Sequence, residues 1–260
     1  MLIDSHAHIS YFDKSEQLEI IQNAFANGVS LINNISTNVS NFDELLASCH
    51  GFKNIHCTVG THPCNVHEEP HITRQTLVGI AKNNGKVIGI GETGLDFYHD
   101  ETHKDLQIHQ FWEHIFAAVE LQMPIIIHTR NAENETLEIL TKAREQFDKD
   151  LKILIHCFTG GVEFCEKLLK IDSYISYSGI ITFKNAKEIV ESLLITPENR
   201  LIIETDSPFL APEPMRGRKN QPAFVKFVAE KIAILRKMEL DEVTRVSSQN
   251  FCELFGVKPA

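Results

Sequence analysis

The chain has 260 residues, 43% hydrophobic and 23% charged, with a formal net charge of −10. That length holds one (β/α) barrel or two small domains, and the composition supplies a sizeable buried core. The acidic balance argues against a broad polyanion-binding surface while leaving room for a small, locally positive site.

The opening, Met-Leu-Ile-Asp-Ser-His, has no basic region and no long apolar run, so no secretory leader is expected. No apolar stretch is long enough to span a bilayer. The six cysteines lack paired spacing and are read as reduced thiols. A cytoplasmic location is therefore expected.

The first strand is predicted over 2–6, running into Ile3-Asp4-Ser5-His6-Ala7-His8. Residues two apart on a strand share a face, so Asp4, His6 and His8 are expected together. Asp4 is placed to orient a histidine, leaving the two rings to share a metal. A lone His-x-His is just as readily a pair of loop histidines. A helix over 16–27, a strand over 29–35 and a helix over 40–50 follow. The third strand, 54–60, leads into Gly60-Thr61-His62-Pro63. His62 either reaches the mouth of a barrel or is a turn histidine before proline.

After a helix over 72–83, the strand 87–91 is followed by Glu92 in Gly-Glu-Thr-Gly-Leu-Asp. A carboxylate after a buried strand is costly unless it is paired or binds metal. Tyr98, just beyond, can stack on a base or pack on a rim. The helix 102–122 places Leu106, Phe111, Ile115, Ala118 and Leu121 near one face, with Thr102 as the expected cap. The strand 124–128 ends in His128 and the strand 152–156 in His156, with helices over 132–146 and 161–170. Each histidine alone is more often a hydrogen-bonded core residue. A strand over 174–178 and a helix over 184–194 come next, Lys184 being a weak candidate for substrate contact. The last strand, 200–205, runs into Asp206. An irregular stretch over 206–221 carries Arg216, Arg218 and Lys219, and helices over 222–237 and 239–255 close the chain. Such a charge cluster suits phosphate oxygens, though a solvated surface run is its commoner meaning.

Eight strand-then-helix units predict a closed TIM (β/α)8 barrel, one domain over 1–260, with its site at the C-terminal ends of the strands. A doubly wound sheet is the alternative, but its early Gly-x-Gly-x-x-Gly turn is absent. In a barrel, His6, His8, Glu92, His128, His156 and Asp206 converge at one mouth. Four histidines and two acids suffice for two divalent ions about 3.5–4 Å apart, which clamp the attacking and leaving oxygens of a displacement and lower the pKa of a bound water. Asp206 would accept that water's proton. Two dications outweigh two carboxylates, so the mouth favours an anion.

These motifs resemble those of the TatD-like metal-dependent deoxyribonucleases, within the amidohydrolase superfamily. The resemblance runs from Ile3 to Phe255 through Ile-Asp-Ser-His-Ala-His, Gly-Thr-His-Pro, Gly-Glu-Thr-Gly-Leu-Asp-Phe-Tyr, Pro-Ile-Ile-Ile-His-Thr-Arg, Ile-His-Cys-Phe-Thr-Gly, Glu-Thr-Asp-Ser-Pro-Phe-Leu-Ala-Pro and Arg-Gly-Arg-Lys-Asn-Gln-Pro. It implies one metal on His6, His8, Glu92 and Asp206 and a second on Glu92, His128 and His156, with Glu92 as bridge. It implies hydrolysis of DNA phosphodiesters from the 3′ end with Mg²⁺, Mn²⁺ or Zn²⁺. Glu92 and Asp206 would be catalytic, and His62, Arg216 and Arg218 would contact the substrate. Departures from the family pattern are Asn131 for an acid, Cys64 for a histidine, His114 for a glutamine and Arg218 for a lysine. The expected partner is DNA, single-stranded or presenting a 3′ end, with no membrane association and a monomeric state. The alternative is a superfamily hydrolase acting on an ester, lactone or aminoacyl bond.

Overall fold

The computed structural model describes residues 1–258. The expected single domain extends to 260, and residues 259–260 lie outside the described residues. Eight parallel strands form one sheet in the order of the sequence: Leu2–Ala7 (β1), Val29–Asn34 (β2), Ile55–Val59 (β3), Val87–Asp96 (β4), Ile125–Arg130 (β5), Ile153–Ile155 (β6), Tyr174–Tyr177 (β7) and Leu201–Ile203 (β8). The helices are Lys14–Ala26 (α1), Phe42–Cys49 (α2), Arg74–Asn83 (α3), Lys104–Leu121 (α4), Glu133–Phe147 (α5), Val162–Lys170 (α6), Lys187–Ile195 (α7), Val225–Arg236 (α8) and Leu240–Phe255 (α9). The sheet closes where the chain after β8 meets β1. Asp206 N donates to His6 O at 2.9 Å and His8 N to Ser207 O at 2.8 Å. The fold is the expected TIM barrel.

Two apolar layers follow from strands buried on both faces. Ile3, Leu31, Ile88, Ile126, Leu154 and Ile202 fill the barrel interior, and α9 plugs the lower end with Phe251 and Phe255, stacked 4.3 Å apart. The larger cluster lies between barrel and helices, with Ile32, Ile90, Ile127 and Ile155 facing Phe111, Ile115 and Leu140. This alternation is what covered parallel strands require.

Of the register shifts in the sheet, two bear on the site, each an extra residue on one strand. In β1, Asp4 pairs with Ile32 and Ala7 with Asn34, so three steps on β1 oppose two on β2. In β4, Ile90 pairs with Ile125 and Thr93 with Ile127. Such bulges re-aim side chains. The first corrects the expectation that Asp4, His6 and His8 share one strand face. Ser5 Oγ lies 3.4 Å from Ser176 Oγ across the lumen, yet the next residue, His6, also points into the mouth. The second places Glu92 inside β4, which runs on to Asp96 rather than stopping at 91.

Glycine is required where β4 and β5 are closest. A Cβ at Gly94, whose φ is +133°, would stand 2.1 Å from the His128 carbonyl oxygen.

The inner face of α4 is more polar than its periodicity suggests. Phe111, Ile115 and Ala118 are buried, but Leu106 and Leu121 are only partly so, and Gln107, Gln110 and His114 are fully buried. They hold loop backbones: Gln107 Oε1 accepts from Asp96 N at 2.9 Å, Gln110 Nε2 donates to Ile72 O at 2.9 Å, and His114 Nε2 accepts from Thr61 N at 3.0 Å. Thr102 does not cap this helix; Asp100 Oδ1 accepts from His103 N at 3.2 Å instead. An aspartate three residues ahead reaches that free N–H, as helix starts require.

Candidate metal centre

The mouth gathers all six expected ligands. Glu92 sits at the middle with its two oxygens turned to different histidines. Oε2 lies 3.4 Å from His6 Nε2 and 3.7 Å from His8 Nε2. Oε1 lies 3.1 Å from His128 Nδ1 and 2.7 Å from His156 Nε2. Asp206 Oδ1 faces His8 Nε2 at 3.4 Å and His6 Nε2 at 3.7 Å. Asp206 occupies left-handed backbone, φ 56°, just where its N–H bonds to His6 O.

The far side of each ring decides which nitrogen is free. His8 Nδ1 faces Ile35 O at 3.3 Å, His128 Nε2 faces Asp96 Oδ2 at 3.0 Å, and His156 Nδ1 faces Glu204 Oε1 at 3.3 Å. An N–H donated outward leaves the opposite lone pair directed inward, toward Glu92. His6 stacks on His156 at 3.9 Å, and its Nδ1, although buried, has no partner among the described residues.

The electrostatics follow. Burial works against the Glu92 charge, but the facing His156 and His62 rings and a His128 hydrogen bond hold its carboxyl well below the usual range. Burial likewise opposes the charge of Asp206, and His8 and His6 bring it below the ordinary value. Burial lowers all the imidazoles; in His8, His128 and His156 the carboxylates more than reverse this, whereas His6 stays low. Inward lone pairs packed around two ionised carboxylates need positive charge between them, and protons supply it when no cation does. This donor set, mixed imidazole and carboxylate with one carboxylate facing both ways, has the chemistry to hold divalent metal.

His62 reaches the same mouth, its Nε2 3.5 Å from Glu92 Oε1. Its Nδ1 accepts from Cys64 N at 3.1 Å, and burial drives its pKa down to about 3. The ring is therefore neutral with its proton on Nε2, a hydrogen-bond donor rather than a ligand. His114, the departure from a glutamine, fixes the preceding residue through Thr61 N.

Other expected contacts fall outside the cluster. Arg216 and Arg218 are exposed on the loop after β8, and Arg216 lies over the Phe183 ring at 3.9 Å. Lys219 pairs with Glu16, and Lys184 is exposed ahead of α7. Tyr98 is exposed on the rim with the Arg130 guanidinium 4.0 Å above its ring. Asn131, φ 53°, takes left-handed backbone that asparagine tolerates.

Asp4 is not the expected partner of a histidine ring. Its carboxylate accepts from Thr205 N at 2.9 Å and Thr205 Oγ1 at 2.6 Å, bracing the chain after β8 against β1. Burial raises its pKa to about 8 against those bonds. Asp96 and Glu204 are the residues that orient rings, and neither is among the candidates the sequence offers. Asp96 lies four residues past Glu92 and Glu204 two before Asp206; that same-face spacing was the available signal.

The family model described as TatD related DNase matches residues 3–256. An uncharacterized metal-dependent hydrolase of Buchnera aphidicola is 37% identical, with 98% of this chain and 99% of the relative covered. YabD of Bacillus subtilis, an uncharacterized metal-dependent hydrolase, is 35% identical over 99% of this chain and 100% of its own. YcfH of Escherichia coli, of the same description, is 36% identical over 98% of this chain and 96% of its own. Among solved structures, the TatD homolog YJJV of Escherichia coli superposes with a TM-score of 0.91 at 24% identity, covering 99% of this chain and 98% of that one. A TatD family hydrolase from Entamoeba histolytica gives 0.85 at 20%, covering 98% and 97%.

Proposed function

This chain belongs to the TatD-related DNase family, and on that footing we propose that it is a metal-dependent hydrolase that removes nucleotides from the 3′ end of single-stranded DNA. The observation that carries the hydrolytic reading is Glu92, whose two oxygens each face a separate pair of histidines at 2.7–3.7 Å. His6, His8, Glu92 and Asp206 would hold one divalent ion and Glu92, His128 and His156 a second, with Glu92 common to both sets.

When bound, divalent ions such as Mg²⁺, Mn²⁺ or Zn²⁺ would supply the Lewis acidity that offsets negative charge on the phosphoryl and leaving oxygens. The rest is the work of side chains. Asp206 turns Oδ1 to the histidines, which leaves Oδ2 to take the proton of the attacking water; its lowered pKa keeps it ionised for that task. His62 donates from Nε2 to a phosphate oxygen. Asp96 and Glu204 hold the rings of His128 and His156 in register.

Rings at the rim support a nucleic-acid substrate. Tyr11 and Phe209 are about half exposed, 6.0 Å apart, and both lie against His8. Exposed aromatics beside an anion site suit unstacked bases. Arg216 and Arg218 would meet the backbone beyond. A second reading, hydrolysis of an ester, lactone or aminoacyl bond, is favoured by Arg216 stacking on Phe183 instead of reaching the cluster.

The test is digestion of a single-stranded, 3′-labelled oligonucleotide across Mg²⁺, Mn²⁺ and Zn²⁺, with chelator as control. Stepwise loss of label that Asp206→Ala abolishes supports the proposal. Intact DNA alongside cleavage of an aminoacyl ester or lactone supports the second reading.

A further inference from the structure

Beyond the central cluster, the loops after β3 and β4 bring together a second set of metal-type donors. His67 and His103 lie ring over ring, centroids 5.0 Å apart and 17° from parallel. Asp100 sits against them, its Oδ2 2.8 Å from His103 Nδ1. One donor atom from each of the three residues lies within 4.8 Å of the other two. The Asp100 side chain is 15% exposed, and among the described residues its one ion-pair partner is His103. The nearby cation Lys104 is taken up elsewhere, by Glu135 at 2.9 Å and the Phe97 ring.

Two ligands on one ion with bonds of about 2.0–2.1 Å stand roughly 3 Å apart. The 2.8 Å contact already has that separation, and His67, on the surface, has room to close the rest. Two imidazoles with one carboxylate select borderline ions such as Zn²⁺, Co²⁺ or Ni²⁺ over Mg²⁺, which prefers oxygen. The neighbouring trio of Cys64, Asp96 and His99 is different, because Asp96 is committed to the His128 ring.

We propose that His67, Asp100 and His103 form a solvent-facing site for a divalent transition-metal ion, separate from the central cluster. Three protein ligands leave coordination positions to water, so this ion exchanges more readily than one held in the mouth. The site spans two loops. His67 lies five residues past His62, and Asp100 four past Asp96. An ion here ties together the segments that present the His62 donor and the Asp96 brace.

The test is Co²⁺ titration of chelator-stripped full-length protein, followed by equilibrium dialysis and visible absorption. Four proteins are compared: the unaltered chain, the double variant His67→Ala/His103→Ala, Asp100→Asn and Glu92→Ala. The double variant is expected to bind one equivalent fewer than the unaltered chain, with its Mg²⁺-supported hydrolysis within about twofold. Glu92→Ala is expected to keep the weak equivalent while losing binding at the mouth. Asp100→Asn, which preserves an acceptor for the helix start, is expected to lose the same equivalent as the double variant. Equal Co²⁺ stoichiometry in the unaltered chain and in either the double variant or Asp100→Asn, with native circular dichroism, would overturn the proposal. The trio would then be a stacked pair beside a helix cap.

Discussion

Asp96 Oδ2 stands 3.0 Å from His128 Nε2, and this one contact decides which nitrogen of the ring faces Glu92. With Nε2 donating outward, Nδ1 turns its lone pair to Oε1, 3.1 Å away. The other Asp96 oxygen accepts from Tyr98 N and His99 N, which fixes the carboxylate in place. Asp96→Asn frees the ring to take the wrong tautomer. The expected result is a loss of about 10–100-fold in metal affinity or activity with unchanged secondary structure. Metal titration and circular dichroism check it; native affinity in the variant would remove Asp96 from this role.

Glu92→Gln is nearly isosteric but removes the charge shared by both histidine pairs. Hydrolysis should fall by about 100-fold or more, since the proposed two-ion centre would contribute several kcal/mol of charge stabilisation. Metal content by elemental analysis should fall with it. A variant that keeps both its metal and its rate would refute the assignment of Glu92 as bridge.

Metal binding should release protons. The carboxylates raise His8, His128 and His156 above the ordinary histidine value, so these rings keep their protons to higher pH than a free imidazole, and an ion must displace them. Affinity therefore weakens as pH falls and strengthens as pH rises through those raised values. Calorimetry in two buffers of different ionisation enthalpy measures the protons released; buffer-independent heats would contradict the expectation.

His114 makes a separate, acid-sensitive contribution to stability. Burial drives its pKa down to about 4, below the unfolded value, so the unfolded chain takes up a proton first. The contribution is complete above about pH 6.5 and is lost as pH falls toward about pH 4, the loss reaching about 2 kcal/mol near pH 5. A glutamine keeps an acceptor for Thr61 N without titrating. Denaturant melts of His114→Gln should show the variant gaining on the native chain between neutral pH and pH 5. Parallel curves at both pH values would count against it.

The sequence by itself determined the eight strand-and-helix units and the six polar residues at the mouth. Strands such as Ile125-Ile126-Ile127 are apolar on both faces, which only a covered parallel sheet uses. A polar group directly after such a run has one place to go, the C-terminal rim. Tertiary structure decided the aim of those groups. The extra residues in β1 and β4 flip the facing of His6 and Glu92, and bulges depend on the pairing strand, which periodicity does not describe. Asp4 went to Thr205, a residue 201 positions away, because barrel closure brought the ends of β1 and β8 together. Asp96 and Glu204 became braces for the same reason: a hydrogen bond between strands is set by three-dimensional neighbours, and nothing in either residue's local sequence names its histidine. The Arg216 guanidinium lies over the Phe183 ring, a contact between two loops that only the folded barrel brings together and that neither residue's local sequence names.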